Sequence, residues 1–162
     1  MSARESLRVG EDCLRWWSNA IALAAPGAAS YLVGVGGGLA ASLSTWRQAD
    51  HARTELADRR RLRFPPAVRV ATVTGTLEAV AAAVARVPVP AADVLGPTDV
   101  DGVTRTILRF DYSAGAEIAS DLRAEVVRAA TSRRRSLAGG PRTAPVTLRV
   151  RFDDVEPFES GL

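Results

Sequence analysis

The sequence predicts an α+β protein in which a β-α-β-β-α-β domain follows a shorter helix–strand–helix region. Two prolines within residues 64–66 mark the boundary, because proline ends helices and biases the preceding residue toward extended backbone. Beyond them, strand-length apolar segments are interspersed with segments of helical period, and residues 146–153 alternate between apolar and polar side chains. We therefore divide the chain into residues 1–63 and 64–162. For the second part we predict a ferredoxin-like split βαβ fold, an antiparallel sheet with two helices on one face.

The first region is predicted to contain two helices joined through a short strand. Leu14, Trp17 and Ile21 recur at helical spacing within residues 11–25, and a Pro-Gly pair then ends that helix. Residues 30–35 are an apolar run of the kind that forms a fully buried strand. Four glycines, at positions 34, 36, 37 and 38, lead from this run into a second, longer helix. Its last turns are rich in arginine, which suits the negative end of the helix dipole.

Each element of the second region is predicted from its apolar pattern. The strands cover residues 67–74, 92–95, 103–111 and 146–153, and the helices cover residues 76–87 and 116–130. Because both helices lie on one face of the sheet, the other face is available for binding. On that face we expect Arg149 and Arg151. Either Arg105 and Arg109 or their neighbours join them, since both faces of the third strand carry apolar residues.

The basic residues give the clearest chemical indication. The chain has 21 of them, all arginine, against 18 acidic residues, and residues 126–152 contain no Asp or Glu. Guanidinium groups match phosphate geometry, so this local excess predicts a sequence-independent, salt-sensitive contact with nucleic acid. The arginines of residues 133–135 are predicted to follow a helix and precede an exposed loop. The alternative is that they only close the helix and keep the domain soluble. The candidate DNA-binding residues are Arg105, Arg109, Arg133, Arg134, Arg135, Arg142, Arg149 and Arg151.

Residues 31–41, with the sequence YLVGVGGGLAA, are typical of a strand that runs through glycines into a helix, as in nucleotide sites. The dinucleotide fingerprint needs G-x-G-x-x-G, but starting from Gly34 the sixth position is Leu39. A P-loop needs a lysine, and the sequence has none. We therefore interpret the run as a permissive turn. A nucleotide-dependent enzyme that uses residues 34–38 is kept as an alternative function.

Catalytic, metal-binding and membrane indications are weak. Cys13 and His51 are too far apart for a zinc site of recognised spacing, and His51 has no catalytic partner evident in the sequence. A single cysteine allows no disulfide framework, which fits a reducing cytoplasm. Residues 16–46 are uncharged and long enough to cross a bilayer, but they are mostly Ala, Gly and Ser and are interrupted by proline. A membrane-associated protein is therefore the second alternative, and the expected location is the cytoplasm.

The order of segments around the two prolines resembles primosomal protein N′, the PriA replication-restart family. The resemblance is carried by Leu43-Ser-Thr-Trp46, Leu62-Arg-Phe-Pro-Pro-Ala-Val-Arg-Val-Ala71, Val94-Leu-Gly-Pro97, Thr104-Arg-Thr-Ile-Leu-Arg109 and Thr147-Leu-Arg-Val-Arg-Phe-Asp-Asp154. In that family these segments form the end of the second helicase lobe and the C-terminal domain. The resemblance therefore implies that residues 1–63 are the remnant of a helicase lobe.

The same resemblance implies a module that binds forked or single-stranded DNA at abandoned replication forks, with single-strand-binding protein and other primosome proteins as further partners. The family's ATP and zinc sites lie in upstream regions that this sequence does not contain. Residues 17–27, in place of a motif whose arginines reach ATP, carry no arginine. We therefore expect no cofactor and neither ATPase nor helicase activity in this chain, as in the branch of the family without helicase motifs. A truncated gene, a mis-assigned start and a short protein all fit this sequence.

Overall fold

The described part of the first of two compact units contains three helices. The computed structural model describes residues 8–136 and 147–154, and the chain divides into units at residues 1–62 and 63–162. In the first unit, α1 spans Val9–Ala22, α2 spans Gly37–Ser44 and α3 spans Gln48–Leu62. An ion pair joins α1 to α3, with Arg59 Nη2 at 3.0 Å from Glu11 Oε1. Helix α2 packs against both of the other helices.

Two expectations for the first unit are wrong. Residues 30–35 form no strand, and Tyr31 and Val33 are 86% and 87% exposed. A strand needs partners for its backbone N–H and C=O groups, and the described residues of this unit provide none. The long second helix is divided into α2 and α3 at residues 45–47. Trp46 adopts a left-handed backbone conformation there, with φ at 53°, which ends α2.

The second unit has the predicted split βαβ fold. Its elements are β1 (Arg69–Gly75), α4 (Leu77–Val84), β2 (Val94–Val100), β3 (Val103–Phe110), α5 (Gly115–Ser136) and β4 (Arg149–Phe152). The strand order is β2-β3-β1-β4, and every neighbouring pair is antiparallel. Each β-α-β segment therefore connects two strands that have another strand between them, which confirms the predicted fold class.

Local sequence explains where these elements begin and bend. The Thr76 side chain accepts a hydrogen bond from the Ala79 N–H at 3.3 Å and so caps the start of α4. Strand β2 has an irregularity between Leu95 and Thr98. Gly96 occupies that position with φ at 108°, and a Cβ there would lie 2.9 Å from the Arg105 carbonyl oxygen. A residue with a side chain would strain this turn, so glycine is required.

The core of the second unit lies between the two helices and one face of the sheet. Val73 and Leu108 from the sheet pack with Ile118 and Leu122 from α5, and all four are fully buried. Phe110 belongs to the same core and meets the ring of Phe152 edge to face, with 6.2 Å between the ring centroids. Because Leu108 and Phe110 face the helices, the residues that alternate with them in β3 face the opposite side.

Two elements of the second unit depart furthest from their predicted boundaries. Strand β2 begins at Val94 and continues to Val100, whereas residues 92–95 were expected. Helix α5 continues to Ser136 and not only to residue 130, so Arg133, Arg134 and Arg135 lie in its last turns and do not follow it. The polar composition of residues 131–136 conceals this extension, because the last turns of a helix need no buried face.

Candidate nucleic-acid interface

The sheet face opposite the helices brings together three of the predicted arginines. In the register of the sheet, Arg105 and Arg149 lie on either side of Thr74, and Arg151 lies next to Thr72. Residues directly opposite one another in an antiparallel sheet project to the same face. The structure thus selects Arg105 and Arg109 over their neighbours as the residues of β3 that share this face with Arg149 and Arg151. We call Arg105, Arg149 and Arg151, with Thr72 and Thr74 between them, the arginine face.

The two arginines of β4 are the most accessible part of the arginine face. Strand β4 is an edge strand, and Arg149 and Arg151 are both exposed. The side chain of Arg151 is 78% exposed, and its Nη1 atom lies 3.6 Å from Asp154 Oδ2. An ion pair this long and this exposed contributes little and exchanges readily for another anion. Both guanidinium groups are therefore accessible to a phosphate in solution.

Arg105 and the threonines complete the arginine face toward the centre of the sheet. Arg105 is partly exposed and pairs with Thr98 on one side and Thr74 on the other. Thr72 is 5% exposed, and its hydroxyl oxygen has no hydrogen-bond partner within the described part of the chain. The Thr72 hydroxyl group is therefore shielded from a phosphate in solution, whereas Thr74 is partly exposed and its hydroxyl group can donate to a phosphate oxygen. These threonines were not predicted as site residues; their alternation with apolar residues in β1 is the sequence pattern that places them on this face.

Arg109 shares this face of the sheet but makes internal contacts. Its side chain is only 14% exposed and donates a hydrogen bond to the Ala92 carbonyl oxygen at 2.7 Å. The same Nη2 atom lies 3.4 Å from Asp93 Oδ1, and the guanidinium group lies 5.9 Å from the centre of the Phe64 ring. These contacts join the start of the second unit to the sheet. A DNA-binding role for Arg109 stays a prediction.

A second arginine reinforces the same corner of the domain. Arg63 Nε donates a hydrogen bond to Asp93 Oδ1 at 2.9 Å, and Arg63 Nη1 lies 3.3 Å from Asp111 Oδ1. The hydrogen bond to the Asp93 carboxylate raises the pKa of Arg63 above its ordinary value. Arg63 was not predicted to have a role. Asp93 is buried, and two guanidinium groups compensate for the cost of burying its charge.

The structure does not describe the side chains of the other four predicted arginines. Arg133, Arg134 and Arg135 belong to α5, which covers the face of the sheet opposite the arginine face, and their side-chain positions are outside the described structure. Arg142 also lies outside the described residues. Arg128, earlier in α5, is paired with Glu125. The structure therefore brings Arg105, Arg149 and Arg151 together on one face, and the role of Arg133, Arg134, Arg135 and Arg142 stays a prediction.

The glycine run does not have the geometry of a nucleotide site. No strand precedes it within residues 8–36, whereas the dinucleotide fingerprint lies between a strand and a helix. Gly34 and Gly37 have φ values of 77° and 71°, and a Cβ on either would have no atom within 4 Å. These glycines therefore permit the backbone to turn, and no closely packed group requires them, which agrees with the interpretation as a permissive turn. In the described ranges, no helix is both long and apolar enough to span a bilayer.

Comparison with known proteins identifies the family. A family model described as the primosomal protein N C-terminal domain matches residues 60–155. A curated protein of Mycobacterium tuberculosis described as probable replication restart protein PriA is 35% identical over 147 residues, which cover 74% of this chain and 22% of that protein. Its counterpart in Mycobacterium leprae is 32% identical over 138 residues, with 74% and 21% covered. The comparison with solved structures gave no significant match.

The family match covers the whole sheet of the second unit. Residues 60–155 contain all four strands, both packed helices and the arginine face. The chain spans about a fifth of the length of the curated relatives that it matches. Because the matched residues make up more than half of the chain and coincide with a folded unit, the chain belongs to the family of the primosomal protein N C-terminal domain.

Proposed function

We propose that this chain is the DNA-binding module of a replication-restart protein and that it recognises forked or single-stranded DNA at abandoned replication forks. The main support for this proposal is the arginine face. It lies within the domain that matches the primosomal protein N C-terminal family, and the relatives of this chain are described as probable replication restart proteins. Its proposed partners are DNA, single-strand-binding protein and other primosome proteins. We propose no ATPase or helicase activity for this chain.

The arginine face supports binding through the DNA backbone. Arg149 and Arg151 are two residues apart on one strand, so their Cα atoms are separated by about 7 Å. Arg105 lies two strands from Arg149, which separates their backbones by about 10 Å. Three guanidinium groups at these spacings can contact several phosphates of one DNA strand at the same time. Such contacts carry no sequence information, which suits a protein that recognises DNA structure.

The aromatic residues of the domain support the same conclusion. Phe110 and Phe152 pack in the core beneath the helices, on the opposite side of the sheet from the arginine face. Tyr112 is exposed, but its hydroxyl group donates a hydrogen bond to the Pro66 carbonyl oxygen at 2.9 Å. None of these three rings belongs to the arginine face, and the Phe64 ring lies against the guanidinium group of Arg109. We therefore expect phosphate contacts, and not base stacking, to supply most of the affinity.

A fluorescence-anisotropy titration with labelled forked DNA tests this proposal. We expect the observed affinity to fall steeply between about 50 and 200 mM salt, because phosphate contacts release counterions. The double variant Arg149→Ala with Arg151→Ala should weaken binding and reduce the slope of log affinity against log salt by about two. A double variant on the helical face, Arg86→Ala with Arg123→Ala, removes the same charge and is the matched control.

The control variant distinguishes DNA binding at a defined site from general electrostatic attraction to the protein. If both double variants lose affinity equally, the arginine face is not the binding site. Absence of binding at low salt would reject the function altogether. A DNA-stimulated release of phosphate from ATP would contradict the proposed lack of ATPase activity.

A further inference from the structure

Strand β4 carries the two most accessible arginines of the arginine face, but its own backbone pairing is short. It has four residues, Arg149–Phe152, and lies at the edge of the described sheet, where β1 is its neighbour. Short edge strands open locally at low free energy, because few hydrogen bonds and few buried contacts oppose the opening. The positions of Arg149 and Arg151 therefore depend on how the end of β4 is fixed.

Asp153 follows β4 directly and departs from the alternation of the strand. In regular alternation its side chain would lie on the arginine face, beside the two arginines of β4. Its backbone is left-handed, with φ at 50°, and its N–H donates a hydrogen bond to the Val70 carbonyl oxygen at 2.9 Å. Its carboxylate contacts Arg69, which lies on the helix-facing side of β1, two residues from the core residue Ala71. The turn at Asp153 thus directs this carboxylate toward the helix side of the sheet.

The contact between Asp153 and Arg69 is a two-point ion pair. Arg69 Nε donates a hydrogen bond to Asp153 Oδ1 at 3.1 Å, and Arg69 Nη2 donates one to Asp153 Oδ2 at 2.5 Å. Two parallel hydrogen bonds between a guanidinium group and a carboxylate fix the orientation of both groups. The pair therefore joins the residue that ends β4 to the first residue of β1.

The Arg69 guanidinium group is itself held by its surroundings. It lies 5.9 Å from the centre of the Phe110 ring and 6.0 Å from the centre of the Phe152 ring, within the range of cation–π attraction. Its Nη1 atom is close to the start of α5, where a Cβ on Gly115 would lie only 2.6 Å away. The N-terminus of a helix carries partial positive charge, so the Asp153 carboxylate offsets an otherwise unfavourable position for a guanidinium group.

We propose that Arg69 and Asp153 are positioning residues, which hold β4 in the orientation in which Arg149 and Arg151 contact DNA phosphates. This inference rests on the proposed DNA binding and adds to it an ion pair on the opposite side of the sheet from the arginine face. A hydrogen bond to phosphate depends on direction as well as on charge. Loss of the pair therefore weakens DNA binding even though both arginines of β4 remain in place.

The variant Asp153→Asn separates positioning from charge, because the two effects have opposite signs. Removal of a negative charge would by itself strengthen DNA binding. Asparagine tolerates the left-handed backbone, so the variant loses the ion pair without a new backbone strain. In the anisotropy titration with forked DNA, we expect binding at least about threefold weaker than that of the parent chain. The slope of log affinity against log salt should also become shallower, because fewer phosphates are contacted.

The matched control is Asp101→Asn. Asp101 is exposed and has a left-handed backbone, with φ at 54°, in the turn between β2 and β3. The change removes the same charge, and Asn-Gly suits this turn. Because Asp101 does not adjoin β4, the control should bind DNA as tightly as the parent chain or more tightly.

Two further measurements locate the effect in β4. In the DNA-free chain, Asp153→Asn should raise the hydrogen-exchange rates of the protected β4 amides at least about tenfold and leave those between β1 and β3 unchanged. Added to the double variant Arg149→Ala with Arg151→Ala, Asp153→Asn should weaken DNA binding no further, because it acts through those two arginines.

Unchanged or tighter DNA binding by Asp153→Asn would overturn the proposal. So would β4 amides that exchange as in the parent chain, or an undiminished loss of affinity in the background that lacks both β4 arginines. A parent chain that does not bind forked DNA at low salt rejects the proposed function itself, and this inference with it. Binding that Arg149→Ala with Arg151→Ala weakens but Asp153→Asn does not would reject the positioning role alone.

Discussion

The two units differ in how they bury their apolar residues. Of the sixteen apolar side chains that are buried in the described residues, thirteen belong to the second unit and only Cys13, Leu14 and Leu43 to the first. Of the ten large apolar side chains that are exposed there, seven belong to the first unit. Burial of apolar surface is the dominant favourable term in folding. The second unit therefore has a core of its own, whereas the first derives little stability from internal packing.

This difference indicates a division of roles. The second unit has a well-buried core between its helices and its sheet, and the opposite face of the sheet carries arginines beside the apolar Val70 and Ile107. The first unit has the opposite distribution, which is typical of a surface that another polypeptide completes. All three tryptophans, Trp16, Trp17 and Trp46, lie in the first unit. Tryptophan fluorescence therefore reports on that unit alone, and hydrogen exchange of the sheet amides reports on the other.

The largest expected effect is in the core of the second unit. Leu108 is fully buried at the centre of the sheet, and Leu108→Ala should lower the free energy of unfolding of this unit by about 2–5 kcal/mol. Protection of the β1 and β3 amides in hydrogen exchange should fall accordingly. The control is Leu77→Ala, since Leu77 is 59% exposed. If Leu108→Ala shifts the tryptophan transition by the same amount, the two units unfold together and the contrast between them fails.

The next effect concerns the ionic contacts of Asp93. This carboxylate is buried and lies within 3.4 Å of both Arg63 and Arg109. Asp93→Ala leaves two arginines without their shared partner and should cost about 3 kcal/mol, because uncompensated buried charge is expensive. Asp111→Ala is the matched change, since Asp111 contacts Arg63 from a 67% exposed position, and it should cost less than about 1 kcal/mol. If both variants reduce the hydrogen-exchange protection of the sheet amides equally, the burial of Asp93 does not increase its contribution to stability.

A smaller effect is expected on the surface of the first unit. Tyr31 is 86% exposed, so Tyr31→Ser should change the free energy of unfolding of the isolated chain by less than about 0.5 kcal/mol. Leu14→Ala, at a buried position of α1, should destabilise the same unit and shift its tryptophan transition. A large loss for Tyr31→Ser would show that residues 30–33 already pack within this chain, and would contradict their exposure.

Sequence patterns predicted the second unit better than the first, for a physical reason. Alternation in β3 and β4 and helical spacing in α5 each reflect one buried face, and those faces exist in this chain. Residues 30–35 have the composition of a buried strand, but strand formation requires a partner that the described residues do not provide. Composition reports what a segment can bury and does not report whether its partner is present.

The arginine face could be predicted only in part. Alternation placed Arg149 and Arg151 on the open face, but β3 is apolar on both sides, so the packing of Leu108 and Phe110 was needed to place Arg105. The internal contacts of Arg109 depend on Asp93 and Phe64, which are distant in sequence. No local pattern reports such a contact. The sequence therefore identifies arginines but does not distinguish those that stabilise the fold from those that remain accessible.

The smallest expected effect is a pH-dependent one at the start of α3. Asp50 lies in the first turn of this helix and accepts hydrogen bonds from Arg47 at 2.6 Å and Arg53 at 2.5 Å. The hydrogen bond from Arg47 is the main cause that lowers the pKa of Asp50 below its ordinary value of 3.8, and Arg53 adds to it. A carboxylate whose pKa is lowered by folding stabilises the folded state above its ordinary pKa, and this stabilisation is lost as the pH falls through the lowered value.

Asp50→Asn should therefore lower the midpoint of the tryptophan-detected thermal transition slightly at pH 7, and the difference from the parent chain should disappear in acid. The loss is small because the carboxylate is well exposed, and added salt should reduce it further. Asp58→Asn is the matched control, since Asp58 pairs with Arg61 near the negative end of the same helix dipole, where removal of a carboxylate is neutral or favourable. If Asp50→Asn lowers the transition midpoint by the same amount in acid as at pH 7, the start of the helix depends on the shape of this side chain and not on its charge.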